Sequence, residues 1–362
     1  MSASHPPAPP VPPTPRPLRP VEHRTSARVA ASAEHHADLL ARLTARDRWI
    51  ARMVADHRVL TSHQIAAIAF EGRHTANRRL ATLYRWRVLT RFRPLIPTRA
   101  GSAPHHYVLD VAGAVTLAHE DGVDPATIGY RHDRQMAIAH SQLRDHTLAV
   151  NAIMTTLLAD SRPAGSPGRL ITWWSASRCQ RQVGDLIQPD AYLRWHYHPA
   201  PAPGGQRFAG TSQHHAGTPS VVVDAYLELD RGTETLTTLG HKVAGYHALA
   251  ASTARITPIL IWLPSLAREA GARRALAHAV GELHQPGLVP IATTATDAHA
   301  HPTDPAAARW LPLHPHPRQP PGRLPLAALG QPWPGPGQPG DRDTPTAAGL
   351  RPPDPYPPTA GG

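Results

Sequence analysis

Residues 219–247 read PSVVVDAYLELDRGTETLTTLGHKVAGYH, and this stretch decides the fold class. Its first half is a strand. β-Branched and aromatic residues dominate, and successive side chains of a strand point to opposite faces. Val223, Ala225, Leu227 and Leu229 share one face, while Asp224, Tyr226, Glu228 and Asp230 share the other. The second half is a helix on which Glu234, Lys242 and Tyr246 fall close to one face. Lys242 can then point back over the strand's end, toward the carboxylates of Glu228 and Asp230. It is the single lysine in the chain; the other 36 of the 37 basic residues are arginines. A lone lysine in an Ala-, Arg- and Pro-rich chain reads blandly as one solvated charge on a helix. The sharper reading is that the position needs a compact ammonium of tunable pKa rather than a planar, always-charged fork.

Outward from this stretch, residues 133–298 read as α-β-β-β-α-β-α-β, a mixed sheet flanked by helices. DRQMAIAHSQLRDHTLAVNAIMTTLLAD, from residue 133, predicts one long amphipathic helix with Ile138, Leu143, Leu148, Ile153 and Leu157 inward. RLITWWSA and LIQPDAYLRWHY are strands, 199–218 is a flexible loop, ITPILIWLP is a buried strand, and a helix and a last strand, GLVPIATTA, follow. If the loop joins the second and third strands as a hairpin, Asp190, just after Pro189, approaches Glu228. Clustered carboxylates are hard oxygen ligands suited to Mg²⁺ or Mn²⁺. Lys242 beside them could neutralise charge developing on a phosphoryl group or hold an attacking water.

The N-terminal part is basic. Between residues 40 and 110 there are 13 arginines against Asp47, Asp56, Glu71 and Asp110, which gives +9 of the chain's net +11. That asymmetry is the footprint of a nucleic-acid binder. Helical spacing from Leu39 to Val54 is followed by Thr61 and Gln64 in capping-box relation, which starts a second helix near Ser62. Gly72 supplies a turn, and HTANRRLATLYRWRVL is a third helix with Ala76, Leu80, Leu83 and Tyr84 inward. Two short strands around PTRAGSAP and a closing helix complete a winged helix-turn-helix over 39–125. On that geometry the third helix presents Arg73, His74, Thr75, Asn77, Arg78 and Arg79 to the major groove of double-stranded DNA. Arg91, Arg93 and Arg99 on the wing meet phosphate or the minor groove. The same fold also serves as a protein-docking module.

Of the 42 prolines, 27 lie in residues 1–20 and 301–362. Segments 1–38 and 299–362 therefore read as disordered Pro-rich tails, which can recruit replication or transfer proteins. Cys179 is the single cysteine, so no disulfide framework or cysteine-rich metal site can be built, and it reads as a packed thiol. The 25 histidines lack zinc-ligand spacing. No secretory signal and no apolar run of membrane length is present. The expectation is a soluble cytoplasmic protein with no membrane partner.

Asp190 after a proline, Glu228-Leu229-Asp230 at a strand end and a helical Lys242 resemble the PD-(D/E)xK nuclease superfamily in variant form. The standard motif sets its lysine where Asp230 stands here. The longer phrase QPDAYL, YLELDRGTE and HKVAGYH, behind a winged helix, resembles the replication-relaxation family of plasmids and integrative mobile elements, over residues 40 to 295. The resemblance implies a DNA-binding protein of plasmid replication, transfer or DNA relaxation with a nuclease-like domain. In an active form Asp190 and Glu228 bind Mg²⁺ or Mn²⁺, Asp230 assists, and Lys242 stabilises charge or orients water. His146 and Asn151 lie on the helix where this superfamily often adds an acid or polar group. The alternative is a catalytically inert DNA-binding regulator or replication accessory on a nuclease-like fold.

Overall fold

The computed structural model describes residues 32–94, 102–199, 220–298, 304–315, 320–330, 333 and 349–358. Arg99, the loop at 200–219 and most of both Pro-rich ends lie outside the described residues.

The N-terminal basic segment is helical. α1 (Ala33–Arg42) is capped by Ser32 and buries His35 and Leu39. His35 Nε2 meets the Trp86 carbonyl at 2.8 Å. Residues 32–38, expected to belong to the Pro-rich tail, instead cap and begin this helix, because one helical seam of His35 and Leu39 suffices to dock it. α2 (Ala45–His57) begins at a capping box between Thr44 and Asp47, which breaks the expected continuous helix after Leu43. α3 (Ser62–Ala69) starts where its own capping box, Thr61 with Gln64, predicts. α4 (Arg73–Arg85) buries Ala76, Leu80, Leu83 and Tyr84. β1 (Leu60–Thr61), β2 (Leu89–Phe92) and β3 (His106–Leu109) form an antiparallel sheet in the order β1-β3-β2. α5 (Val111–Glu120) follows, capped by Asp110.

The expected long helix from 133 is divided. α6 (His132–Met136) and a 3-10 turn precede α7 (Leu143–Asp160). Ser141 makes the break: its hydroxyl accepts from Leu143 N at 3.1 Å, a local bond that competes with helix. Leu143, expected inward, is 62% exposed. β4 (Gly168–Ser175) leads into α8 (Ala176–Val183), a short helix whose polar sequence ASRCQRQV has no apolar repeat to announce it. β5 (Ala191–Tyr197), β6 (Val221–Leu229), α9 (Leu236–Thr253), β7 (Ile259–Leu263), α10 (Leu266–Gly281) and β8 (Ile291–Ala295) complete the expected order. β4-β5-β6 are antiparallel and β6-β7-β8 parallel, as two crossovers through helices require.

The expectation of a disordered tail from 299 fails for the described residues there. β9 (Leu311–Pro312) adds a sixth strand against β8, and α11 (Leu326–Leu329) packs near β6. Residues 349–358 run back over the N-terminal part: Trp49 Nε1 donates to the Asp354 carbonyl at 2.7 Å. The Tyr356 hydroxyl lies 2.6 Å from Ser161 Oγ and accepts from Leu170 N at 2.9 Å. Proline content hid a few widely spaced large apolar residues, Trp310, Leu324, Leu326 and Leu350, each of which is buried.

The β6 faces divide as alternation predicts. Val223, Ala225 and Leu227 join an apolar cluster that runs without interruption from Leu39 to Leu350. The N-terminal helices and the sheet thus share one core. Tyr226 joins a second cluster, beneath α9 and α10. Among the described residues no helix is long and apolar enough to cross a membrane.

Candidate functional site

β5 and β6 pair with Ala191 opposite Leu227, which sets Asp190 beside Glu228 at the strand ends. Asp190 N donates to the Leu227 carbonyl at 3.1 Å, and Leu229 N donates to Asp190 Oδ2 at 2.7 Å. Asp190 Oδ1 meets His146 Nε2 of α7 at 2.7 Å. That bond raises the His146 pKa, against the opposing effect of burial. The loop before Asp190 lies directly on α9 because Gly245 has no side chain: a Cβ there would stand 2.5 Å from the Leu186 carbonyl oxygen.

α9 brings the lone lysine to this point. Lys242 Nζ lies 3.1 Å from Glu228 Oε2 and 3.3 Å from Glu234 Oε2. One turn on, Tyr246 donates to Glu228 Oε1 at 2.5 Å. The sequence reading of Lys242 and Tyr246 as one helix face holds, whereas Glu234, expected on that face, precedes the Thr235 cap and reaches Lys242 from the turn before the helix. Burial, and then the Asp190 carboxylate, push the Glu228 carboxyl above its usual range despite Lys242 and Tyr246. Burial pulls Lys242 down, but Glu228, Glu234 and Asp190 more than offset it, so the pKa is raised and the side chain stays an ammonium. It suits charge stabilisation, not proton abstraction.

Asp230 departs from this group. Its Oδ2 pairs with Arg268 Nε of α10 at 2.7 Å, and its Oδ1 accepts from Gly232 N at 2.6 Å. It closes the strand-to-helix turn. Arg268 carried no sequence signal, because its pairing depends on how α9 and α10 pack. Asn151 is buried and donates to the carbonyls of His57 at 3.2 Å and Val59 at 2.8 Å. Cys179 is fully buried, and burial pushes its thiol up.

A cavity of about 1190 Å³ borders these groups, lined by His146, Asp190, Arg231, Glu234 and Lys242. Asp56, Arg58, Arg134 and Arg181 also line it, so α2, α6 and α8 contribute with the sheet. Glu228 lies behind Lys242. Among the described residues no group of three or more His, Cys, Asp or Glu is placed to hold a metal ion. A Mg²⁺ can be held by as few as one or two carboxylates, with water and substrate phosphate as its other ligands. Asp190 and Glu228 would hold it: each carboxylate has about four lone-pair sites, and two protein donors leave some free. When bound, such an ion polarises a phosphoryl oxygen.

On α4, Arg73, His74, Thr75, Asn77 and Arg78 are exposed. Arg79 is not on that surface. It pairs with the buried Asp47 and lies over the Trp86 ring at 5.2 Å. Arg91 lies over the Tyr84 ring at 4.4 Å, and Arg93 bonds Ser102 Oγ at 2.7 Å and His105 Nε2 at 2.9 Å. Both are half-buried at the base of the segment that carries Arg99.

No curated protein and no solved structure matches the chain. The family model described as replication-relaxation matches residues 52–258, which takes in α3, α4, Asp190, Glu228, Lys242 and Tyr246. The chain belongs to the replication-relaxation family.

Proposed function

We propose that this protein binds double-stranded DNA in plasmid or mobile-element replication or relaxation, and that the cavity beside Lys242 acts on the DNA backbone. α2, α3, α4 and the β1-β3-β2 sheet are read as a winged helix, with α4 in the major groove. The observation that carries the reading is the exposed face of α4, where Arg73, Asn77 and Arg78 stand together on a rigid helix. Arg and Asn in this setting suit bidentate contacts to guanine and adenine. The sheet part is read as a PD-(D/E)xK-like nuclease domain, in which Asp190 and Glu228 hold Mg²⁺ and Lys242 keeps a positive charge beside the scissile phosphate.

A second reading, an inert DNA binder on a nuclease-like fold, is favoured by one observation. Asp230, the second acid of the strand motif, is committed to Arg268. Supercoiled plasmid incubated with the full chain and Mg²⁺ or Mn²⁺ separates the two. Conversion to open circles, lost in Lys242→Ala and Glu228→Ala, supports nicking. A gel shift without conversion supports the inert binder. Neither shift nor conversion rejects both.

A further inference from the structure

Arg58 closes α2 with φ 65° and ψ −45°. Val59 N donates to the His57 carbonyl at 2.8 Å around it. This is a three-residue turn with positive φ at its centre, a rare and strained form. Glycine is the residue that adopts positive φ freely, yet an arginine stands here. The surroundings hold the turn in place. Asn151 Nδ2 donates to both flanking carbonyls, of His57 and Val59. The His57 ring stacks on Trp173 at 3.7 Å, and Val59 is fully buried. Strain that persists because its neighbours over-determine it collects at binding and catalytic sites.

The turn sets Arg58, an exposed side chain, in the lining of the cavity that Asp190 and Lys242 also border. Arg134 and Arg231 share that lining and are exposed as well. None of these three arginines forms a salt bridge with a described residue of the lining, whereas Lys242 is held by Glu228 and Glu234. Asp56, Asp190 and Glu234 also line the cavity, but none of them pairs with these three guanidinium groups, which stay available to an anion. The fork of arginine matches phosphate oxygens two at a time. The cavity, at about 1190 Å³, exceeds the ~300–1,000 Å³ of small-molecule pockets and suits a length of polymer.

We propose that Arg58 binds the phosphodiester backbone of a single DNA strand lying in this cavity, so that the site is built jointly by the N-terminal helices and the sheet. Arg134 and Arg231 extend the track. Asn151 is a positioning residue that fixes the Arg58 backbone. The inference rests on the reading of the protein as one that handles DNA, and it adds a second, single-strand site to the duplex-binding face of α4.

The test is fluorescence anisotropy of the full chain with a labelled single-stranded oligonucleotide across a salt series, beside a duplex of the same sequence. Arg58→Gly relieves the positive φ, so its melting temperature should match or exceed that of the wild type. Its single-strand affinity should fall about tenfold, with a salt slope smaller by about 0.7. Arg58→Asn, which also tolerates positive φ, should lose the same affinity, and Arg58→Lys, a point charge without the fork, should recover only part of it. Duplex binding should remain in Arg58→Gly and weaken in Arg73→Ala and Arg78→Ala. Single-strand affinity unchanged in Arg58→Gly overturns this inference alone. A wild type that binds neither DNA overturns it together with the proposed function.

Discussion

Asp56→Asn removes a buried charge while keeping its volume. Asp56 sits on α2 at 4% exposure, its Oδ1 accepting from Ser175 Oγ at 3.3 Å and its Oδ2 without a hydrogen-bond partner. Burial pushes the carboxyl from 3.8 to about 6, against the pull of Arg178 and Arg181. A folded pKa above the unfolded one favours the protonated form, so this stability is fully present below pH ~4 and lost as pH rises through ~6. About two pH units at ~1.4 kcal/mol each amounts to ~3 kcal/mol, or about 6–12 °C in melting temperature for a domain of this size. His57 acts oppositely. Burial pulls it from 6.5 to about 3, so its contribution is present above 6.5 and lost as pH falls toward 3. The observable is therefore the difference between variant and wild type in thermal melts from pH 4 to 8. The curves should meet near pH 4 and separate by pH 8, with Asp56→Asn the more stable. A difference that does not change with pH, or a less stable variant at pH 8, refutes the reasoning.

Three other predictions use the same measurement. Asn151→Ala removes the side-chain donor from the Val59 carbonyl and leaves the His57 carbonyl with Val59 N alone, and should cost about 1–3 kcal/mol; an unchanged melt contradicts its role in holding the turn at Arg58. Arg79→Ala strands the buried Asp47 charge and should cost several kcal/mol, ~3 as an order of magnitude, while exposed Arg78→Ala stays within about 0.5. Equal losses would mean that the two arginines are not divided between core and surface. Tyr356→Phe removes a hydroxyl shared by Ser161 and Leu170 N and should cost about 1–2 kcal/mol; no loss would mean that residues 349–358 do not clamp the fold.

The sequence was most informative where local pattern and tertiary contact agree. Alternation along 221–229 assigns the two faces of β6, and the Thr61–Gln64 pair marks the start of α3. A helical period aligns Lys242 and Tyr246, and a hairpin suffices to set Asp190 beside Glu228. What escaped depends on packing between distant elements. Asp230 and Glu228 alternate onto one face, yet only the approach of α10 decides that Arg268 takes Asp230. Arg79 differs from Arg78 by one position on a helix, which turns it toward Asp47. Arg58 carries no pattern at all, because its conformation is imposed by Asn151, which lies 93 residues away in the chain. The C-terminal segment misled because composition averages over a stretch, whereas docking needs only a few large side chains at the right spacing.

The most direct test of the central claim is a duplex-binding titration over a salt series, with wild type beside Arg73→Ala and Arg78→Ala. The account predicts that wild-type affinity falls steeply as salt rises. Each substitution should weaken binding at every salt concentration, and a side chain that contacts phosphate should flatten the slope by about one. Binding that is weak, insensitive to salt and equal in all three proteins would contradict it.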